Sequence, residues 1–407
     1  MSTPGPTTTK APVSLGVSTS GPPLMAASRR RVFYLVDSFE IGGTETQAVE
    51  LALRMSQAGH TVTMGALQAK GPLLDRLRGS EVAVEQFYPR GGLDSPRGLL
   101  EVLRLGRYLR RHRFDVVHTH DLWSNLMGVV AAKLARVPAI VCSQRDLSHD
   151  AWYQGARRAW LRRIQKWSDA VLVNSGAIGD DLVSQDGFNP SKIRVIHNGV
   201  DVARFRGDRG LQRALFPGLE ACKFIVLVGN MHTDVKGQDL LIAAAPAVLR
   251  EFPETRFVLV GDGAQRHAFE KMATETGVKN EFLFLGRRAN VAEILAGCDL
   301  AVLPSRAEGF PNAVLEYLAA GLPTIATQVG GMPELIEDNV TGMLVPPEDS
   351  SALSSAILSL LRAPETARRI AVHGHESALQ KFSFERMTGE VEALYTELLL
   401  PAKQARR

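Results

Sequence analysis

Short apolar runs alternate with longer amphipathic stretches along almost the whole 407-residue chain. Each run is too short for a buried helix and has the length of a strand. Such alternation predicts parallel β-sheets that are covered by helices on both faces. The runs that we interpret as strands are 31–36, 61–67, 81–86, 114–118, 139–143, 169–174, 192–196, 223–229, 255–260, 281–285, 299–303, 323–326 and 341–345.

The rhythm breaks once, in the segment 200–222, which is rich in glycine and proline and is therefore the predicted interdomain linker. The fold class predicted is α/β, with two doubly wound, Rossmann-like domains that face each other across a cleft. In such sheets ligands bind beyond the carboxyl ends of the strands. The predicted divisions are a disordered tail at 1–29, an N-terminal domain at 30–205, a C-terminal domain at 206–383, and a helix at 384–407 that packs back on the first domain.

The composition is that of a globular protein, with 45% hydrophobic and 22% charged residues and a net charge of +4. No run of 18 or more apolar residues occurs, so no membrane-spanning helix is expected. Three distant cysteines argue against a disulfide framework or a zinc cluster and favour a reducing cytoplasm. The weak positive charge favours anionic partners, and we expect no nucleic-acid binding.

The segment 305–334 combines two carboxylates with a helix start directly after the predicted strand 299–303. Glu308 lies on the loop, and Glu316 lies eight residues later in the second turn of the helix. Pro311 suits the first helical position, where its missing N–H is no loss. Free amides there attract anions, and carboxylates accept hydrogen bonds from hydroxyls, as a nucleotide-sugar would require. An ordinary strand–helix crossover with two surface glutamates is the alternative. The amides expected to be free are those of Gly309, Phe310 and Asn312.

Glycines and a lysine mark two further loops. Gly42 and Gly43 would let the backbone approach a diphosphate closely, although a plain strand–helix turn explains them equally well. Their spacing does not fit G-x-G-x-x-G, which disfavours a nicotinamide site. Lys236 precedes Gly237 at a predicted helix start, where a cation opposes the helix dipole unless an anion lies nearby. This position therefore indicates a phosphate, with a solvated lysine as the alternative.

The run His118-Thr119-His120-Asp121 follows the strand 114–118 and has three interpretations. It could bind a metal, with His197 as a further ligand, and then serve a metal-dependent hydrolase. It could hold a structural histidine whose hydrogen bonds are satisfied in the core. The interpretation that we favour is a His118 that faces a sugar. The pattern His-x-His-x-Asp-His of one class of hydrolases is not matched, because Leu122 and Trp123 occupy its last two positions.

These motifs occur in one order between residues 31 and 385: IGGTE, HTHD, HNGVD, VGN…KG, VGDG and EGFPNAVLEYLAAGLP. Together they resemble the family 4 retaining glycosyltransferases (glycosyl transferases group 1), which have the GT-B fold. The resemblance implies transfer of a hexosyl or N-acetylhexosaminyl group from a nucleotide-diphosphate sugar to a glycan or lipid-linked glycan. It also implies no metal and no cofactor, with the acceptor in the first domain and the donor in the second. The sequence contains no Asp-x-Asp.

The resemblance also assigns roles to residues. The implied catalytic residues are His118 beside the sugar, Lys236 at the diphosphate and Glu308 on the sugar hydroxyls. Glu316 would accept hydrogen bonds from the ribose. Many members have arginine where this chain has Asn230, and we expect a substitute for its charge. The residues implied to bind the donor, substitutes included, are Gly42, Gly43, Asn230, His232, Lys236, Arg287, Glu308, Gly309, Phe310, Pro311, Asn312 and Glu316, with Arg288 as a further candidate and His232 preferred.

The acceptor side has weaker signals. Segment 151–168 combines basic residues with tryptophans, which suits an anionic membrane surface. An ordinary amphipathic helix with solvated arginines is the alternative, and a second basic run spans 104–113. We therefore expect a cytoplasmic enzyme, with peripheral binding to the inner face of the membrane as a further hypothesis. A nucleotide-sugar epimerase of the same fold remains the alternative function.

Overall fold

Two parallel β-sheets form the framework of the protein. The computed structural model describes residues 29–93, 95–145, 156–205, 207 and 213–404, so residues 1–28 of the predicted tail and part of the predicted linker lie outside the described residues. The first sheet has the strand order β3-β2-β1-β4-β5-β6-β7, and the second has the order β10-β9-β8-β11-β12-β13. All pairings between these strands are parallel. The predicted fold class of two doubly wound α/β domains is thus confirmed.

Every predicted strand is present, with ends that differ by at most two residues. The match follows from burial, because a parallel sheet covered on both faces requires continuous apolar runs. The strands are β1 (Arg31–Val36), β2 (Thr61–Ala66), β3 (Ala83–Gln86), β4 (Val116–His120), β5 (Ala139–Gln144), β6 (Ala170–Val173), β7 (Ile193–Val195), β8 (Lys223–Val228), β9 (Thr255–Val260), β10 (Phe282–Gly286), β11 (Leu300–Leu303), β12 (Thr324–Thr327) and β13 (Met343–Val345).

Helices connect the strands and cover both faces of each sheet. The α-helices of the described residues are α1 (Gly43–Gln57), α2 (Leu74–Leu77), α3 (Pro96–His112), α4 (Leu122–Ala135), α5 (Ala156–Gln165), α6 (Gly176–Asp186), α7 (Gln238–Glu251), α8 (Arg266–Glu275), α9 (Val291–Ala296), α10 (Asn312–Ala319), α11 (Met332–Leu335), α12 (Ser350–Arg362), α13 (Pro364–Lys381) and α14 (Phe384–Gln404). Short 3-10 helices span Pro190–Lys192, Val202–Phe205 and Lys279–Glu281.

The last helix, α14, follows the second sheet in sequence but packs on the first. Its residues Phe384, Met387, Val391 and Leu394 belong to the hydrophobic core on one face of the first sheet. Their spacing of three or four residues forms a single apolar stripe along the helix. A C-terminal helix therefore crosses back to the first domain and ties the two halves together.

Each sheet has one point at which the strand order reverses, and ligands bind at such points in doubly wound folds. In the first sheet the reversal lies between β1 and β4, and in the second between β8 and β11. The loops at these points are therefore those after residues 36, 120, 228 and 303. Four of the motifs singled out in the sequence lie on these loops.

Candidate active site

A buried ion pair lies at the reversal point of the second sheet. Lys236, from the loop after β8, places its Nζ 2.6 Å from Oε1 of Glu308, from the loop after β11. The hydroxyl of Ser305 donates to the same oxygen at 2.6 Å, and Glu308 is only 7% exposed. The structure therefore joins two of the predicted catalytic residues. It also gives Lys236 an anionic partner within the protein, so its position at a helix start no longer requires a phosphate by itself.

Two glycines allow the backbones around this pair to approach closely. Gly237, just after the lysine, has a φ of +71°, and a Cβ there would lie 2.1 Å from the carbonyl oxygen of Pro304. Gly309 lies where the two domains meet, since its Cβ would be 2.4 Å from the carbonyl oxygen of Arg145 in the first domain. A side chain at either position would push the loops apart.

Helix α10 begins one residue later than predicted. Pro311 precedes the helix as its N-cap, with a φ of −75° and a ψ of 117°, and Asn312 is the first helical residue. The prediction that Pro311 occupies the first helical position is therefore wrong. Its φ suits either position, but the extended ψ leaves it outside the helix. Phe310 is buried, and its ring stacks on that of His197 with centroids 4.8 Å apart.

Asn312 connects the start of α10 to the first domain. Its Nδ2 donates to the carbonyl oxygen of Gly43 at 3.2 Å, while its Oδ1 accepts from Nδ2 of Asn198 at 2.8 Å. The side chain of Gln47 in turn bonds both the N–H and the carbonyl of Gly199. The glycine turn after β1 thus lies against the second domain, and Asn198 of the HNGVD segment contacts that domain as well.

Glu316 lies in the second turn of α10, as predicted, but apart from the ion pair. It lines an interdomain cavity of about 50 Å³ together with Gln47, Asp201 and Arg204. Burial raises the pKa of Glu316 to about 7, although the charge of Arg204 opposes that shift. This carboxyl group is therefore divided between its protonated and ionised forms near neutral pH.

The two histidines at the end of β4, His118 and His120, differ in their hydrogen bonding. His118 is fully buried, and its ring nitrogens lie 2.7 Å from the hydroxyls of Tyr395 and Ser143. Burial lowers the pKa of His118 to about 3, with Arg145 adding to the shift. The structure contradicts the expectation that His118 faces a sugar, because the strand pairing and α14 enclose it and satisfy both nitrogens. It fits the structural interpretation instead.

His120 entered the sequence analysis only through the metal-site interpretation, and no sugar-binding role was predicted for it. It is also fully buried, but neither ring nitrogen has a hydrogen-bond partner within the described residues. It stands at the carboxyl end of β4, followed by Asp121 with a φ of +70°. An unsatisfied buried histidine is costly, and a ligand at this reversal point would satisfy it. The signal was its position at the strand end, two residues beyond His118.

A metal site at these histidines finds little support in the geometry. Both nitrogens of His118 are engaged by hydroxyls, while Nε2 of His197 lies 2.9 Å from Glu334. Among the residues that the structure describes, no cluster of three or more His, Cys, Asp or Glu side chains is arranged to hold a metal ion.

The proposed substitutes for the missing arginine lie on exposed loops. His232 is two residues from Asn230 on the loop after β8. Arg287 and Arg288 follow β10, which lies two strands away from β8 in the sheet, or about 10 Å at ordinary strand spacing. The placement keeps His232 as the preferred candidate, and its role stays a prediction.

One interdomain contact was not anticipated from the sequence. Glu334 of the second domain accepts hydrogen bonds from the amides of Gly176 and Ala177 at the start of α6, and lies beside His197. Burial alone would raise the pKa of Glu334, but the hydrogen bonds from His197 and from the two amides hold it below its ordinary value. No local sequence pattern indicates this contact, because its three partners, Gly176, Ala177 and His197, belong to the other domain.

The protein is thus a two-domain α/β protein whose Rossmann-like domains face each other, with an ion pair and a helix start at the reversal point of the second sheet. Sequence profiles make the class specific. The profile described as glycosyltransferase family 4 matches residues 41–204, and that of glycosyl transferases group 1 matches residues 222–363. The chain belongs to this family of glycosyltransferases, has the GT-B fold, and is a glycosyltransferase enzyme.

Individual relatives agree with this assignment. The chain is 25% identical to N-acetyl-alpha-D-glucosaminyl L-malate synthase of Bacillus anthracis, over 90% of this chain and 97% of the relative. It is 26% identical to UDP-Gal:alpha-D-GlcNAc-diphosphoundecaprenol alpha-1,3-galactosyltransferase of Escherichia coli, over 81% and 87%. Anabaena HepE, solved in complex with UDP and glucose, superposes with a TM-score of 0.81 at 22% identity, over 90% of this chain and 100% of that chain.

No helix within the described ranges has the length and apolar character needed to cross a lipid bilayer.

Proposed function

We propose that the enzyme transfers a hexosyl or N-acetylhexosaminyl group from a nucleotide-diphosphate sugar to a glycan or lipid-linked glycan, with retention and without a metal or cofactor. The observation that carries this proposal is the Lys236–Glu308 pair at the reversal point of the second sheet. It supplies a cation for the diphosphate and a carboxylate for sugar hydroxyls within one hydrogen-bond length of each other.

The proposed reaction exchanges one bond at the anomeric carbon for another. The bond from that carbon to the diphosphate oxygen breaks, and the acceptor oxygen bonds the carbon on the same face. The acceptor proton passes to the leaving diphosphate, which departs as nucleoside diphosphate. Lys236 would stabilise the negative charge that develops on this leaving group, a role that a preorganised cation performs without a metal.

The ion pair has a consequence for donor binding. To reach a diphosphate, the ammonium of Lys236 must exchange its bond to Glu308, which then becomes free for the sugar hydroxyls. Because both groups are largely buried, an unpaired state of either would be costly. We therefore infer that diphosphate and sugar bind together, each taking one partner of the pair. HepE was solved in complex with UDP and glucose, so a uridine nucleotide is the first donor to test.

The location that we propose is the cytoplasm, with peripheral contact to the inner face of a membrane. Within 151–168, residues 151–155 lie outside the described residues. Trp160 and Trp167 are 61% and 48% exposed, which suits a membrane surface. Two of the arginines, Arg158 and Arg162, instead contact Asp186, which lowers the net charge that this segment offers.

The test of the proposed function is a transfer assay with nucleotide-sugars and glycan acceptors, in the presence and absence of EDTA. We expect transfer that is insensitive to EDTA, and a product whose anomeric configuration, read from the proton coupling constant, equals that of the donor. Loss of activity with EDTA that added Mg²⁺ or Mn²⁺ restores would refute metal independence. Release of an isomeric nucleotide-sugar without any acceptor would instead indicate the epimerase.

A further inference from the structure

We propose that the acceptor is an anionic, lipid-linked sugar and that two adjoining cavities of the first domain bind its sugar and its phosphate separately. This inference rests on the proposed glycosyl transfer and names the substrate class of its acceptor. The cavities have volumes of about 470 Å³ and 530 Å³, and Tyr88 lines both. The linings of the two cavities differ in chemistry. The sugar and the phosphate are joined in such an acceptor, and the cavities proposed to bind them adjoin in the same way.

The first cavity has the chemistry of a sugar site. It lies at the reversal point of the first sheet, where Asp37 follows β1, Gln68 follows β2 and Trp123 lies in the first turn of α4. Carboxylates and amides exchange hydrogen bonds with hydroxyls, and an aromatic face covers the apolar side of a sugar ring. Burial raises the pKa of Asp37 to about 6, although the amide of Ser124 donates to it.

The sugar cavity adjoins the donor side through one loop. This loop runs from Asp37 to Gly43, whose carbonyl accepts from Asn312 of the second domain. Its ends are six positions apart in the sequence, a reach of at most about 20 Å. A sugar in this cavity therefore lies on the same side of the first sheet as the loop that contacts the donor helix.

The second cavity has the chemistry of a phosphate site. Arg90, Arg97 and Arg104 line it, and Glu101 is the one acidic residue among the described residues of its lining. Glu101 pairs with Arg104 at 2.5 Å, which leaves a net positive charge in the cavity. Guanidinium groups bind phosphate oxygens through two parallel hydrogen bonds and suit a phosphate or diphosphate. The shared Tyr88 sets this cavity directly beside the sugar cavity.

Exposed leucines beside the arginines point to a lipid rather than to a soluble sugar phosphate. Leu99, Leu100 and Leu103 of α3 are 58%, 61% and 36% exposed, and Leu100 also lines the arginine cavity. At 100° per residue all three lie on one outer face of the helix, together with Arg104 and Arg107. A soluble sugar phosphate would need no such apolar face, whereas an acyl or polyprenyl chain would cover it.

The experiment is calorimetric titration of the full chain with decyl diphosphate below its micelle concentration. The nucleoside diphosphate that the donor assay identifies is present at saturation, so that the donor side is filled. Titrated in parallel are the double variant Arg90→Gln/Arg97→Gln and a matched control, Arg110→Gln/Arg111→Gln. The control removes the same charge from α3, the helix that carries Arg97, but leaves the cavity intact. Thermal unfolding confirms that both variants are folded.

We expect saturable binding by the wild type, a Kd raised at least tenfold in Arg90→Gln/Arg97→Gln, and a Kd within twofold of the wild type in the control. Inorganic diphosphate should bind at least tenfold more weakly than decyl diphosphate, and Leu100→Ser should reduce that difference. An equal loss in both double variants would overturn the site. Inorganic diphosphate that binds as tightly as decyl diphosphate would overturn the lipid and indicate a soluble acceptor.

The sugar cavity is tested with decyl diphosphates capped by N-acetylglucosamine, glucose or galactose. At least one should bind more tightly than uncapped decyl diphosphate, and Asp37→Asn or Gln68→Ala should remove that gain while leaving the uncapped probe unaffected. If no cap tightens binding, the sugar assignment is wrong. Absent binding of every probe to a protein that still turns over nucleotide-sugar would refute the acceptor inference alone and leave the proposed function standing.

Discussion

The carboxyl edges of the two sheets differ in how completely their polar groups are paired. In the second domain, Lys236, Glu308 and Ser305 form a closed hydrogen-bonded set around one carboxylate. The first domain instead opens into two cavities of about 470 Å³ and 530 Å³, and the ring nitrogens of its His120 have no hydrogen-bond partner in the part of the chain that the structure describes. The second domain is therefore arranged around one carboxylate, whereas the first domain leaves space for a larger molecule.

The largest effect is expected at Lys236. Lys236→Met keeps the aliphatic stem but removes the charge that would meet the leaving diphosphate. Loss of a charged hydrogen bond costs about 1.5–3 kcal/mol, or about a ten- to hundredfold loss of kcat. The steady-state rate of transfer measures this effect, and Lys271→Met, an exposed lysine of α8, is the control. If Lys236→Met keeps the wild-type rate, Lys236 does not stabilise the leaving diphosphate.

Glu308→Gln should separate binding from turnover. The substitution keeps the shape of the side chain but frees Lys236 from a carboxylate, so nucleoside diphosphate should bind as tightly as before or more tightly. Transfer should fall by about tenfold, because a neutral acceptor holds the sugar hydroxyls more weakly. Calorimetry measures the affinity for nucleoside diphosphate, and initial rates measure transfer. Glu337→Gln is the control for both. Parallel loss of nucleotide affinity and rate would show that the pair does not separate as proposed.

Substitution of the two histidines of β4 by alanine should have opposite effects, one on stability and the other on the transfer rate. His118→Ala leaves the hydroxyls of Tyr395 and Ser143 without their partner, which should cost about 1–3 kcal/mol of unfolding free energy. The rate per folded molecule should change little. His120→Ala should leave stability nearly unchanged and lower the rate. Urea unfolding and initial rates on both variants decide the matter, and a reversed pattern would restore His118 as the residue that faces the sugar.

Glu316 predicts a pH dependence of donor affinity. Its pKa is raised to about 7 in the free protein, and ribose hydroxyls that donate to the ionised form would lower that pKa. Affinity should therefore rise with pH up to about 7 and level off above it. Titration with a nucleotide-sugar, whose esterified diphosphate does not titrate in this range, measures the slope. Glu316→Gln should flatten the slope, and an unchanged slope would place Glu316 outside the site.

The smallest effect is expected at the interdomain contact of Glu334. Glu334→Ala removes an anion from the start of α6, worth about 0.3–1 kcal/mol of unfolding free energy. Because its pKa is lowered in the folded protein, this contribution is present above the ordinary pKa of glutamate. It should vanish as pH falls through the lowered value. Unfolding curves at several pH values, with Glu337→Ala as the control, test this.

Local burial explains why the sheets could be predicted from the sequence. A strand covered on both faces must be apolar along its length, so each strand can be recognised from its own residues alone. Glu308, Glu316 and Lys236 could be proposed as site residues because loops and helix starts also have local signals. Pro311 was misplaced by one position because its φ suits both the N-cap and the first helical residue.

Contacts between distant elements could not be predicted in the same way. Lys236 meets Glu308 only because the strand order places β8 beside β11. His118 looked like a binding residue because the sequence does not show that Tyr395, on the last helix, satisfies it. The cavities around Tyr88 are formed by three separate loops and α3. Such features depend on topology, which a single sequence reveals only through its strand pattern.

The most direct test of the donor site is thermal unfolding of the wild type and Lys236→Met with UDP-, GDP-, ADP- and dTDP-sugars, each with and without EDTA. A ligand at one hundred times its Kd adds about 2.7 kcal/mol of stability, which shifts the unfolding temperature measurably. We predict a shift of the wild type with one nucleotide, insensitive to EDTA and reduced in Lys236→Met. No shift with any nucleotide, or an equal shift in both proteins, would contradict a donor site at the Lys236–Glu308 pair.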